Sequence, residues 1–155
     1  MNSLLSHEKA VHSGVTPKSW RLEKDANLIV IGTMNPPTYG GTFELNEELE
    51  SRFASRYIPY PDDEHEMIIL RDYCGDEKLM KNLILLANHT RNSESGYAIS
   101  PRDLVSVLRI YASYIEQGDS KDDAIHRALE DGITGKYNSP DDREAIEREI
   151  HNLFG

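Results

Sequence analysis

Apolar side chains recur at spacings of three and four through the last two thirds of the chain, the repeat that puts them on one face of a helix. Five helices are predicted from it. The first is capped by Asp62 or Asp63, carries Met67, Ile68, Leu70 and Tyr73, and stops at Gly75. The second runs from about Glu77 to Asn88 with Leu79, Met80, Leu83, Ile84 and Leu86. The third opens at Ser100-Pro101 and carries Leu104, Val107, Leu108, Tyr111 and Ile115. A fourth begins near Ser120 with Ala124, Ile125, Ala128 and Leu129, and a fifth at Ser139-Pro140 with Ala145, Ile146, Ile150 and Leu153. The third and fifth share the start Ser-Pro-x-Asp: the serine accepts from a free amide, the proline needs no donor there, and the aspartate complements the helix dipole.

The pattern before Pro61 is different. NSLLSHEKAVH reads as a short helix with Leu4, Leu5 and Ala10 on one side, and Ser19 to Leu22 as a short strand. Leu28 to Met34 is continuously apolar at its start, the signature of a strand buried on both faces. A loop rich in Pro, Tyr and Gly spans Asn35 to Thr42, a short helix is expected around Asn46 to Phe53, and an extended piece over Arg56 to Tyr60. The fold class is therefore mixed α/β but mostly α: a partial α/β layer in residues 1–61 and an all-α bundle in 62–155. One buried strand cannot make a sheet, so its neighbours are expected from elsewhere.

Composition narrows the function classes. Among 155 residues, 27 acids against 17 bases leave a net charge of −10, which argues against a general nucleic-acid surface and against a polybasic membrane anchor. No window approaches the length of an apolar membrane span, and the N-terminus lacks a signal peptide's charged-then-apolar order. The single cysteine, Cys74, forms no intramolecular disulfide, so a reducing cytoplasm is the expected setting.

Three residues stand out. Asn35 sits at the carboxyl end of the apolar strand, where ligands of open α/β sheets collect; the plain alternative is that Asn35-Pro36 opens a turn. Arg52, in ELNEELESRF, either serves a ligand or pairs with Glu48 one helical turn earlier, and Arg56 competes for any role given to it. Arg102 lies just after a helix cap, where the partial positive charge disfavours a cation unless an anion visits. The alternative there is a pair with Asp103 or another surface acid.

Together, LIVIGTMNPPTYGGTF, LNEELESRF and ISPR resemble the second half of an AAA+ ATPase core of the MoxR/CbbQ, dynein-related group. In that group an apolar strand ends in a T-x-N-P sensor, a Tyr-Gly loop follows, and a short helix ends in S-R-F. The resemblance makes residues 1–61 the C-terminal portion of a P-loop-type α/β core and residues 62–155 a helical lid. It implies ATP and Mg²⁺ as cofactors, neighbouring subunits in a ring and a protein client as partners. It makes Asn35 the sensor that positions the attacking water or meets the γ-phosphate, Arg52 the finger reaching a neighbour's nucleotide, and Arg102 the lid arginine reaching the phosphates of its own subunit.

The chain departs from that pattern in two respects. G-x-x-x-x-G-K-[ST] is absent: Gly135-Lys136 is followed by Tyr137, and Glu130 stands where the first glycine belongs. No apolar strand ends in Asp-Glu to hold Mg²⁺, so both elements are expected upstream, and the isolated chain is not expected to turn ATP over. A non-catalytic helical adaptor derived from such a module is the competing reading. The six histidines show no i, i+4 pair and no metal cluster, Cys74 reads as a half-buried structural thiol, and Tyr57, Tyr60, Tyr111 and Tyr114 as packing residues with polar tips.

Overall fold

The computed structural model describes residues 10–12, 15, 18–21, 23, 29–35, 47–93 and 97–155. These are mostly helical, and none of their helices is long and apolar enough to cross a membrane. The chain divides into two compact units, residues 1–58 and 59–155.

In the first unit, β1 (Ala10–His12) pairs antiparallel with β2 (Ser19–Arg21), Val11 standing opposite Trp20. The strand expected after Ser19 is present. The helix expected over residues 2–12 is not continued to its end, because Ala10–His12 are strand; Leu4 and Leu5 lie outside the described residues. Pairing with β2 satisfies the backbone of these residues, whereas a lone helical stretch this short is marginal in water.

The apolar run also departs from expectation. Residues 29–35 form no strand, and Ile29, Ile31 and Met34 are 82%, 86% and 52% exposed. A strand of this type needs partners on its edges and cover on both faces, and among the described residues β1 and β2 pair only with each other. α1 (Glu47–Glu50) is one turn of the expected helix, acidic at its start with no base at its end, and the chain then turns through Ser51–Phe53. Residues 54–60 are irregular, with Tyr57 exposed rather than packed.

The second unit contains the five helices the periodicity predicts. They are α2 (Asp63–Arg71), α3 (Glu77–Arg91), α4 (Pro101–Glu116), α5 (Lys121–Gly132) and α6 (Pro140–Phe154), with a 3₁₀ turn over Thr134–Lys136. Each starts on a side chain that accepts from its first-turn amides. Asp62 takes the His65 amide at 2.9 Å, Asp76 those of Lys78 and Leu79 at 3.0 and 3.1 Å, and Ser120 that of Asp123 at 3.1 Å. Ser100 and Ser139 cap α4 and α6 with the proline just inside. α2 ends at Arg71, a turn before Gly75, because the Tyr73 and Cys74 amides fold back onto the Leu70 carbonyl.

α3 is central, touching α2, α4 and α6, while α4 and α5 pack most extensively. Leu83, Leu86, Leu104, Leu108, Val107 and Leu129 form the fully buried interior, each large side chain contributing about 1.5–3 kcal/mol. The helices α4 and α5 meet so closely at Gly132 that a Cβ there would stand 2.8 Å from Cγ2 of Val107.

One ion pair lies inside this apolar layer. Arg91 forks onto Glu66 of α2 through Nη1 and Nη2 at 3.1 and 2.7 Å, and its Nε donates to the Ile99 carbonyl at 2.8 Å. Side-chain exposure is 8% for Arg91 and 1% for Glu66, so neither charge has water to fall back on. Thr90 adds a second tie, accepting from the Ile99 amide at 3.1 Å. Arg91→Met strands the Glu66 carboxylate and is expected to lower unfolding free energy by about 3–5 kcal/mol in urea titrations. Adding Glu66→Leu to that variant is expected to restore part of the loss, since no buried charge is then left unpaired.

Candidate functional site

The N-terminus of α4 combines an unpaired cation with a tightly organised base. Both carboxylate oxygens of Asp103 are engaged. Oδ2 accepts from the Ser100 amide at 2.8 Å, the Ser100 hydroxyl at 2.7 Å and the Tyr97 hydroxyl at 3.0 Å, while Oδ1 pairs with Lys136. The Ser100 hydroxyl in turn accepts from the Asp103 amide at 3.3 Å, completing a capping box. Tyr97 stands edge-on to Tyr137, ring centres 6.2 Å apart, and the Tyr137 hydroxyl donates to the Tyr97 carbonyl at 2.8 Å. Burial, with the Asp142 carboxylate nearby, pushes the Tyr137 hydroxyl up to about 12, so it stays a donor throughout the physiological range.

Arg102 projects from this base as an exposed side chain without a salt-bridge partner among the described residues. The expected alternative, a pair with Asp103, is not formed, because that carboxylate is spent on the cap and on Lys136. Backbone amides at a helix start favour an anion, and a guanidinium beside them adds a bidentate fork.

The other two predicted residues lie in the first unit. Asn35 is exposed at the end of the unpaired segment 29–35. Arg52 donates through Nη2 to Glu48 Oε1 at 3.0 Å, the pairing named above as its plain alternative. Arg56 is exposed in the irregular segment that follows. Lys136, the lysine of the failed P-loop match, serves Asp103. Cys74 is half-buried and its Sγ accepts from the Asp76 amide at 3.3 Å, in keeping with a structural thiol.

Sequence reasoning missed the two ion pairs that shape the bundle. Glu66 shares the inner face of α2 with Leu70, so an acid on the apolar stripe was the available signal. Nothing local marks Lys136 as the partner of a residue 33 positions away. A cleft of about 430 Å³ lies between the end of α3 and α6; there His89 Nδ1 meets Glu149 Oε2 at 2.8 Å beside Arg148 and Asn152. Among the described residues no three His, Cys, Asp or Glu side chains are grouped to hold a metal ion.

No protein-family profile matches the chain, and no solved structure matches it. Over 99% of its length it is 28% identical to a protein of Bacillus subtilis (strain 168) described as the uncharacterized protein YojN. The chain spans 49% of that relative, about half its length. That description carries no activity, so the reading of function rests on the residues themselves.

Burial works to raise the Asp103 pKa, but the Lys136 ammonium and the Ser100 donors outweigh it and hold the carboxyl below its ordinary value of 3.8. A group lowered in the folded state stabilises it at every pH above the unfolded value, and that contribution fades as pH falls through the lowered folded one. Lys136→Met is therefore expected to cost about 1–3 kcal/mol at neutral pH, and to move the onset of acid unfolding to higher pH in circular-dichroism titrations.

Proposed function

We propose that this chain is the sensor-and-lid portion of an AAA+ ATPase of the MoxR/CbbQ, dynein-related group, a ring assembly that hydrolyses ATP to remodel a protein partner. The observation that carries the reading is Arg102: a cation without an ion-pair partner among the described residues, at the positive end of a capped helix, is disfavoured there by about 0.3–1 kcal/mol and is placed to meet an anion. Five helices following the T-M-N-P and S-R-F segments support it.

Each residue then has a definite task. Arg102 binds phosphate oxygens of its own subunit from the lid side. Asn35, able to donate and accept, orients the attacking water. Arg52 leaves Glu48 to reach a neighbouring subunit. A finger arginine contributes about 10³–10⁵ in rate. A finger supplied in trans requires a head-to-tail interface of the kind that closes into rings. When bound, ATP supplies the transferable phosphoryl group and Mg²⁺ the charge that neutralises its oxygens. The phosphate cradle and the Mg²⁺ ligands are assigned to sequence other than these 155 residues.

The helical adaptor remains the second reading, and the apolar cleft between α2 and α3 is where it would hold a partner. It requires partner binding that ignores nucleotide and survives Asn35→Ala and Arg102→Ala.

Calorimetry is expected to detect no tight ATP binding by the isolated chain; a tight complex would overturn the assignment of the cradle to other sequence. In an assembly that supplies G-x-x-x-x-G-K-[ST], Arg52→Ala is expected to abolish hydrolysis while nucleotide affinity stays nearly unchanged. Arg102→Ala is expected to weaken nucleotide binding itself. Equal loss of binding and turnover in Arg52→Ala would remove the finger assignment.

A further inference from the structure

α2 and α3 leave an apolar groove of about 620 Å³ open along the bundle. They run antiparallel: Arg71 at the end of α2 meets Glu77 at the start of α3 at 3.5 Å, and Asn88 near the end of α3 donates to Asp63 at the start of α2 at 2.9 Å. Met67 and Ile84 lie in the groove, and Ile68 and Leu85 stand over it, 60% and 44% exposed. Ile68 and Leu85 are adjacent apolar side chains left uncovered at the groove's mouth.

The two ends of the groove carry opposite charge. Asp63 and Glu64 lie at one end, where Asp63 is met only by a neutral amide and Glu64 has no ion pair among the described residues. Arg71 and Lys81 line the other and share the carboxylate of Glu77, at 3.5 and 4.0 Å, so the groove's lining is acidic at one end and basic at the other. Glu64 and Arg71 are seven residues apart, about 10 Å along a helix, or two turns of an occupant.

We propose that this groove receives an amphipathic helix of a partner protein, acidic in its first turn, apolar at i, i+3, i+4 and i+7, and basic in its last turn, lying antiparallel to α2. A trough between two helices suits a helix, since it offers apolar pockets and no free strand edge. The charge order is also the one a helix carries at least cost, acids at its N-terminus and bases at its C-terminus, so those ends fall on Arg71 with Lys81 and on Asp63 with Glu64. A second copy presents a trough to a trough, and a protruding helix fills the space better. The proposal is independent of the nucleotide chemistry above and holds for lid and adaptor alike.

The test uses the full 155-residue chain and two dye-labelled peptides: one with the stated acidic, apolar and basic order, and one with the charged turns exchanged. Fluorescence anisotropy at low salt is expected to show the first peptide binding about tenfold tighter. Ile68→Asp, at a position exposed enough to leave the helical circular-dichroism spectrum unchanged, is expected to abolish binding of both. Glu64→Lys combined with Lys81→Glu, which alters only the rim, is expected to invert the preference. Equal affinity for the two peptides, binding of neither, or binding indifferent to Ile68→Asp would overturn the proposal. So would a concentration-dependent dimer in sedimentation that Ile68→Asp dissolves, which would assign the groove to a second copy.

Discussion

Three groups converge on the guanidinium of Arg91: the Glu66 carboxylate of α2, the Ile99 carbonyl ahead of α4, and the ring of Tyr60, 4.2 Å from its centre. The bundle is organised around that convergence. An ion pair taken out of water gains little net stability over an apolar pair of the same shape, so its effect is geometric. Leucines tolerate a shifted neighbour; a planar fork on a carboxylate does not. Arg91 holds α2 against α3 in one register and, through Ile99, sets where the connection from α3 delivers the chain to Ser100. The start of α4 is thus determined before its own residues are considered.

From that point the charge accounting is local. A chain with a net charge of −10 has acids to spare, yet the acid adjacent to Arg102 is unavailable to it. Asp103 closes the capping box, receives the Tyr97 hydroxyl and holds Lys136 from the 3₁₀ turn. Lys136 therefore acts on Arg102 indirectly, by occupying the nearest carboxylate and fixing the helix turn from which Arg102 projects. The near miss to a P-loop at Gly135-Lys136 has its explanation here: the lysine is a structural counterion for Asp103.

The helices of the second unit were legible because their signals are local. Spacing of apolar residues chose the faces, and Asp62, Ser100, Ser120 and Ser139 marked the starts within a residue. The end of α2 was less legible, since a fold-back of two amides onto Leu70 competes with the expected stop at Gly75. Glu66–Arg91 and Asp103–Lys136 join residues 25 and 33 apart, and no periodicity reports such separations. Strands in the first unit depend on partners in the same way. Ser19–Arg21 finds Ala10–His12 as its partner, at the expense of the expected helix end, while the more apolar run 29–34 finds none among the described residues. Of the site, Arg102 was legible from its awkward place after a helix cap. Arg52 was not separable from an ordinary Glu48 pair by sequence, and in this chain that pair forms.

The unpaired run bears on which functional reading the chain fits. Ile29, Ile31 and Met34 are more than half exposed, and covering each is worth about 1.5–3 kcal/mol. Their sum is comparable with the stability of a whole domain, about 5–15 kcal/mol. An adaptor working through the helical bundle alone has no use for such a segment and bears its hazard, because an apolar strand with free edges recruits other strands. Under the proposed half-core the same residues would be an asset: strands from the rest of a sheet would cover them and would carry Asn35 to its ligand-binding edge. Among the described residues nothing pairs with 29–34, and the apolar area of Ile29, Ile31 and Met34 is an argument for the proposed half-core over an adaptor working through the bundle alone, independently of any arginine.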